Sequence, residues 1–181
     1  MLSKVISQAN IDHVEKWFER AEKIVIVTHV SPDGDAIGSS LGLWHFLESQ
    51  EKNVNVIVPN AFPDFLRWMP GAKDIIRYDK YKEFADKLIA EADVICCLDF
   101  NALSRIDAMA DAVAASPARK VMIDHHLYPE ELFEGANWGG DLIQMSYPAF
   151  TPEGKMVHSF TNSHDLYLSD WNKDEAVKVY G

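Results

Sequence analysis

The sequence predicts an α/β fold, a parallel β-sheet with helices on both faces, and three observations carry that prediction. Strand-like segments recur along the chain: the apolar, β-branched run KIVIV first, then NVNVIV, DVICCLD and RKVMID. Such runs suit strands buried on both faces, as parallel strands are. Segments with apolar residues at helical spacing lie between them. Loops containing Pro and Gly, SPDGD and PNAFPDFLRWMPG, punctuate the alternation. The 181 residues suit one domain, or one domain and part of a second. An apolar share of 48% supplies a core, and a charged share of 25% is ordinary for a globular chain.

In chain order, residues 11–22 are expected to form an amphipathic helix, with Ile11, Val14, Trp17, Phe18 and Ala21 on one stripe. KIVIVTHV follows as a buried strand that runs into the SPDGD loop. Residues 36–50 read as a helix with Ile37, Leu41, Trp44 and Leu47 on one face. Residues 53–58 read as a strand, and 59–71 as a loop with a turn or two of helix. A short strand over 74–78, a helix over 82–92 and a strongly buried strand over 93–99 come next. Residues 103–116 read as a helix stopped before Pro117, and 119–124 as a further strand. Beyond about residue 128 the periodicity weakens. LIQMSYPAF is apolar without a clear type, and the closing DEAVKVYG reads as the start of a helix.

Charge and cysteine usage exclude some functions. With 17 basic and 28 acidic side chains the net charge is −11, poorly suited to holding long duplex DNA through its phosphates. Small phosphates held through bound cations are not excluded. Cys96 and Cys97 are adjacent, too constrained for an ordinary structural disulfide, which fits a reducing compartment. The apolar run over 24–30 is too short to span a bilayer, and the N-terminus lacks the apolar run of a signal peptide. A cytoplasmic protein without a membrane partner is the expectation.

In open parallel sheets ligands bind beyond the carboxyl ends of the strands. The polar residues expected there are His29, Asp33 and Asp35 after the first strand, Asp99 after the 93–99 strand, and Asp124, His125 and His126 after the 119–124 strand. Carboxylates crowded together repel unless positive charge sits among them. A mixed set of imidazole nitrogen and carboxylate oxygen suits Mn²⁺, with Mg²⁺ or another divalent ion as alternatives. So many donors suit two ions, and Asp99 could bridge them. Two such ions sharing a water form the usual centre for phosphate-ester hydrolysis.

THVSPDGDAIGSSLGL, CLDF and IDHH, in this order and spacing, resemble the three leading motifs of the DHH phosphoesterases, most of all the branch of nanoRNases and 3′-phosphoadenosine 5′-phosphate (pAp) phosphatases. The resemblance covers about residues 10–128; residues 129–181 match less well. It implies a Rossmann-like DHH catalytic domain. It also implies that His29 and Asp33 hold one Mn²⁺, that Asp35 and His125 hold the other, and that Asp99 bridges them. His126 would meet the substrate phosphate as hydrogen-bond donor or proton-transfer partner, with Asp124 orienting its neighbours. Gly38 and Ser39 would let the helix N-terminus pack close beneath the site, where its N–H groups favour anions. The implied substrates are short single-stranded RNA or a small nucleotide.

The family's fourth motif, a Thr-Asp-Thr-Gly-like stretch, has no match. EAVKVYG resembles the run that leads into it, and Asp165 and Asp170 stand as substitutes only outside a matching context. The chain is therefore expected to be a catalytic domain, residues 1–181, that stops before the fourth motif and lacks the C-terminal substrate-binding domain. Its turnover is expected to be reduced or absent. The apolar tail is a surface through which two copies could associate.

Other residues read as structural. His13 and His45 are expected on helix surfaces, His158 and His164 fall in the unpatterned tail, and the cysteines read as small core hydrophobes. The aromatics of NAFPDFLRWM are expected to pack in the core or a lid rather than to stack on a base. Arg105 either contacts phosphate or pairs with an acid at the start of its own helix. Two readings compete with hydrolysis of short RNA or pAp. One is a pyrophosphatase-like or cyclic-dinucleotide activity, and the other is a degenerate domain that only binds metal or nucleotide.

Overall fold

A computed structural model describes residues 8–124 and 126, together with the strands 142–146, 149–150, 155–159, 166–170 and 176–180. Strands β1 (Lys23–Val27), β2 (Asn53–Val58), β3 (Ile76–Arg77), β4 (Val94–Leu98), β5 (Arg119–Asp124) and β6 (Leu142–Ser146) form one sheet in the order β3-β2-β1-β4-β5-β6. Every pairing in it is parallel. Parallel neighbours need crossover segments, and α1 (Gln8–Arg20), α2 (Gly34–Ser49), α3 (Tyr78–Ala90) and α4 (Ala110–Ala115) supply the helical layers.

Alternation along the strands divides the core in two. Val25 and Val27 of β1, Ile95 and Cys97 of β4 and Met122 of β5 meet Ala85 and Ile89 of α3 and Val113 of α4. Ile24, Ile26, Val94, Cys96, Leu98 and Val121 point to the opposite face, against Val14 of α1 and Leu47 of α2. The sheet is thus covered on both sides, and the near-continuous apolar strands follow from that. Burial lifts both cysteine thiols, that of Cys97 to about 12, so neither is a nucleophile at neutral pH.

Several boundaries differ from the sequence expectation. The 74–78 strand shrinks to Ile76–Arg77, because Ala72–Asp74 forms a 3₁₀ turn and Tyr78 already opens α3. The 103–116 helix is 3₁₀ over Leu103–Met109, broken by Asp107 at φ 47°, and α-helical only over Ala110–Ala115. LIQMS is the sixth parallel strand. The closing residues are strand rather than helix: β10 (Ala176–Tyr180) pairs antiparallel with β9 (Leu166–Asp170), which continues through β8 (Lys155–Ser159) to β7 (Ala149–Phe150). Val177 pairs with Leu168 and Tyr180 with Leu166 across a register shift, partners that local helical spacing does not reveal. Lys120 is a buried lysine in mid-sheet whose Nζ donates to the Ser116 carbonyl. Among the described residues no helix is long and apolar enough to cross a membrane.

The strand order reverses direction between β1 and β4. From β1 the chain builds outward to β2 and β3, and from β4 it builds the other way to β5 and β6. At such a reversal ligands ordinarily bind beyond the carboxyl ends of the two strands, here β1 and β4.

Candidate metal centre

His29 stands two residues past β1 and is 6% exposed. Its Nδ1 lies 2.9 Å from the Val30 carbonyl. A carbonyl only accepts, so Nδ1–H donates and the Nε2 lone pair faces outward. Nε2 is turned toward Asp99 Oδ2 at 3.5 Å and Asp33 Oδ1 at 4.0 Å. A neutral imidazole with its lone pair facing two carboxylates is repelled. The set is stable only with a positive charge among these atoms, either a proton on Nε2 or a bound cation. Hydrogen bonding to Asp99 accordingly raises the His29 pKa above its ordinary value, against desolvation and the Arg105 cation.

Asp33 is held by helix capping. As N-cap of α2 it accepts from the N–H groups of Asp35 at 3.0 Å and Ala36 at 3.1 Å, through Oδ1. The cap sets the carboxylate at the mouth of the helix, next to backbone donors. Asp99 follows β4 in the left-handed region, φ 64°, a conformation Asp tolerates better than most residues. Its N–H donates to the Ile123 carbonyl at 3.0 Å, which ties the turn to β5. The side chain is 6% exposed.

Asp124 closes β5 and is buried. Its Oδ1 lies 2.7 Å from His126 Nδ1, and its Oδ2 accepts from the His126 N–H at 3.2 Å. His126 Nδ1 is also 3.8 Å from Asp99 Oδ1. Two groups result, each with its ligand atoms within 4.8 Å of one another: His29, Asp33 and Asp99, and Asp99, Asp124 and His126. Asp99 belongs to both. Hard carboxylate oxygen with borderline imidazole nitrogen is a donor set that fits a first-row divalent ion.

The remaining expected residues fall as follows. Asp35 is exposed in the first turn of α2 and belongs to neither group. The cap turns Asp33, not Asp35, toward His29. His125 lies outside the described residues. Arg105 is exposed, and its carbonyl accepts from the Val30 N–H at 2.7 Å, which joins the segment after β4 to the one after β1. A Cβ on Gly38 would meet nothing within 4 Å, so close packing does not require that glycine. Ser39 Oγ donates back to the Asp35 carbonyl at 2.7 Å instead of supporting an approach to the site. Of the substitutes for the fourth-motif carboxylate, Asp170 ends β9 in the antiparallel sheet, and Asp165 lies outside the described residues.

Sequence reasoning missed Asn60. Its Oδ1 accepts from the Ser31 N–H at 2.7 Å, where Ser31 takes φ 54° between His29 and Asp33. The available signal was its position two residues past β2, the same place in its βα unit that His29 holds after β1. The apolar residues of 61–69 also split: Leu66 is buried and Phe62 and Met69 pack beside it, but Phe65 and Trp68 are exposed.

The chain matches the model of the DHH family, N-terminal domain, over residues 23–140. It is 39% identical over 158 residues to the bifunctional oligoribonuclease and PAP phosphatase NrnA of Thermus thermophilus, covering 86% of this chain and 40% of that protein. It is 27% identical over 134 residues to the cyclic-di-AMP phosphodiesterase PdeA of Listeria monocytogenes, covering 71% of this chain and 20% of that one. A crystal structure of an exopolyphosphatase-related protein from Bacteroides fragilis superposes with a TM-score of 0.72 at 74% identity, covering 78% of this chain and 40% of that one. The chain thus spans two fifths or less of each of these relatives.

Proposed function

The chain belongs to the DHH family, and on that footing we propose that it is a metal-dependent phosphoesterase domain acting on short oligoribonucleotides or small nucleotides such as pAp. The observation that carries the proposal is the buried Asp99 carboxylate, one oxygen toward His29 and the other toward His126, at the switch point between β1 and β4. His29, Asp33 and Asp99 would hold one divalent ion. A second would share Asp99, with Asp35 and His125 as its further donors on the motif resemblance. Mn²⁺ is the ion we propose, on the mixed nitrogen and oxygen donors. When bound, such ions polarise a phosphoryl oxygen and lower the pKa of a water.

The chain's own residues supply the rest. Asp124 accepts from the His126 ring and backbone, which holds the imidazole for a substrate phosphate oxygen. The α2 N-terminus adds a positive dipole end beside the same switch point. Arg105 carries a cation close enough to be felt by His29 and so to attract phosphate. A net charge of −11 disfavours long polyanions and is tolerable for a substrate with one or two phosphates.

The test is nucleotide release from a labelled RNA dinucleotide and from pAp in Mn²⁺, with Asp99→Ala as control. Release abolished in the control supports the reading. Absence of release above the control would overturn catalysis by this chain and leave a domain that only binds. The likeness to the Listeria phosphodiesterase favours a second reading, a cyclic dinucleotide as substrate. Cleavage of that substrate in preference to the linear ones would establish it.

A further inference from the structure

We propose that Phe65 and Trp68 form a platform on which the base of the bound nucleotide stacks, a subsite that rests on the phosphate-site reading above and extends it to the nucleobase. The residues sit on a run of i→i+3 hydrogen bonds: Leu66 N–H to Pro63 O, Arg67 N–H to Asp64 O and Met69 N–H to Leu66 O. Only Asp64–Leu66 of this run is 3₁₀ helix, and the side chains of the whole segment divide three ways. Leu66 and Met69 turn inward, onto a cluster with Ile37 and Leu41 of α2. Asp64 and Arg67 pair with each other at 2.6 Å. Phe65 and Trp68 are left facing solvent, 72% and 76% exposed.

Two contacts bring these aromatics to the site. The segment leaves the carboxyl end of β2, the edge of the sheet on which the candidate ligands lie, and Asn60 anchors it to Ser31 between His29 and Asp33. Leu66 shares its cluster with Ile37, one turn below the Asp33 cap. The inward packing thus seats the segment that carries Phe65 and Trp68 against α2. Two large aromatics fixed in solvent present flat apolar faces without any preference among bases. Aromatic stacking of this kind is the common sequence-tolerant way to hold a single-stranded nucleotide.

Calorimetric titration of the full chain in Mn²⁺ with AMP and with ribose 5-phosphate separates base from phosphate. The expected result is AMP binding about tenfold more tightly. Phe65→Ala and Trp68→Ala should bring AMP toward the ribose 5-phosphate value and leave ribose 5-phosphate unchanged, whereas Phe65→Tyr and Trp68→Phe should retain the difference. Asp99→Ala should weaken both ligands. Equal affinity of the two ligands for the parent chain would overturn the platform while leaving the phosphate site intact. Alanine variants that still prefer AMP would overturn it too. Binding of neither ligand would overturn the phosphate-site reading and the platform with it.

Discussion

His29 Nε2 lies 3.5 Å from Asp99 Oδ2, although the two residues are 70 positions apart and each is 6% exposed. The other oxygen of the same carboxylate is 3.8 Å from His126 Nδ1. One buried aspartate therefore spans two histidines that follow different strands. Asp99→Ala is expected to weaken Mn²⁺ binding by more than about 100-fold, whereas His126→Ala weakens it by less than about tenfold. Isothermal titration with Mn²⁺ measures both. Equal losses would remove Asp99 from its shared position.

Asp124 grips His126 twice, at ring and backbone. Asp124→Asn keeps the size of the side chain and removes its charge. It is expected to lower turnover or divalent-ion affinity by about 10- to 100-fold, with little change in melting temperature. If both quantities match the parent chain, the contact does not orient the imidazole.

Gly71 takes φ 84°, and a Cβ there would collide with the Trp44 ring and press on Leu41. Gly71→Ala should destabilise by more than about 1 kcal/mol. Gly42, inside α2 with open space around it, is the counter-example. Gly42→Ala should stabilise by about 0.5–1 kcal/mol through the lower entropy of the unfolded chain. Urea unfolding of the two variants should move in opposite directions.

Asp93 binds the start of β1: its Oδ2 accepts from the N–H groups of Glu22 and Lys23, both at 2.9 Å. The bond from Lys23, then that from Glu22, favours the ionised carboxylate and lowers its pKa. The stabilisation is complete above the unfolded-state value near ~3.9 and is lost as pH falls through the lower folded-state value. The group is exposed, so the effect is about 1 kcal/mol or below. Asp93→Asn should melt below the parent at pH 7, with the gap closing under about pH 4. A gap that persists unchanged to pH 3 would assign the loss to geometry rather than charge.

The parallel sheet was legible because each strand carries its own signature. KIVIV and VICCL are apolar at every or nearly every position, which only a strand covered on both faces can bury, and RKVMID carries the shorter apolar run VMI. Boundaries were less legible where tertiary contacts override local preference. The 3₁₀ stretch Leu103–Met109 is tied to the segment after β1 by the Val30–Arg105 backbone bond, and helical spacing contains no trace of that tie. The strand character of AVKVY depends on pairing with LYLSD, so its own residues read equally as helix.

The sequence by itself determined the fold class, the family and the types of side chain at the strand ends, because strand periodicity and motif spacing are properties of the chain. Only the tertiary structure decided which of those side chains meet. Strand order put β1 beside β4, and a helix cap set Asp33 beside His29. A left-handed turn set Asp99 between His29 and His126. Packing of Leu66 inward left Phe65 and Trp68 facing solvent. Contacts between residues distant in sequence are chosen by the free energy of the whole packed arrangement, and no local window of the sequence contains that sum.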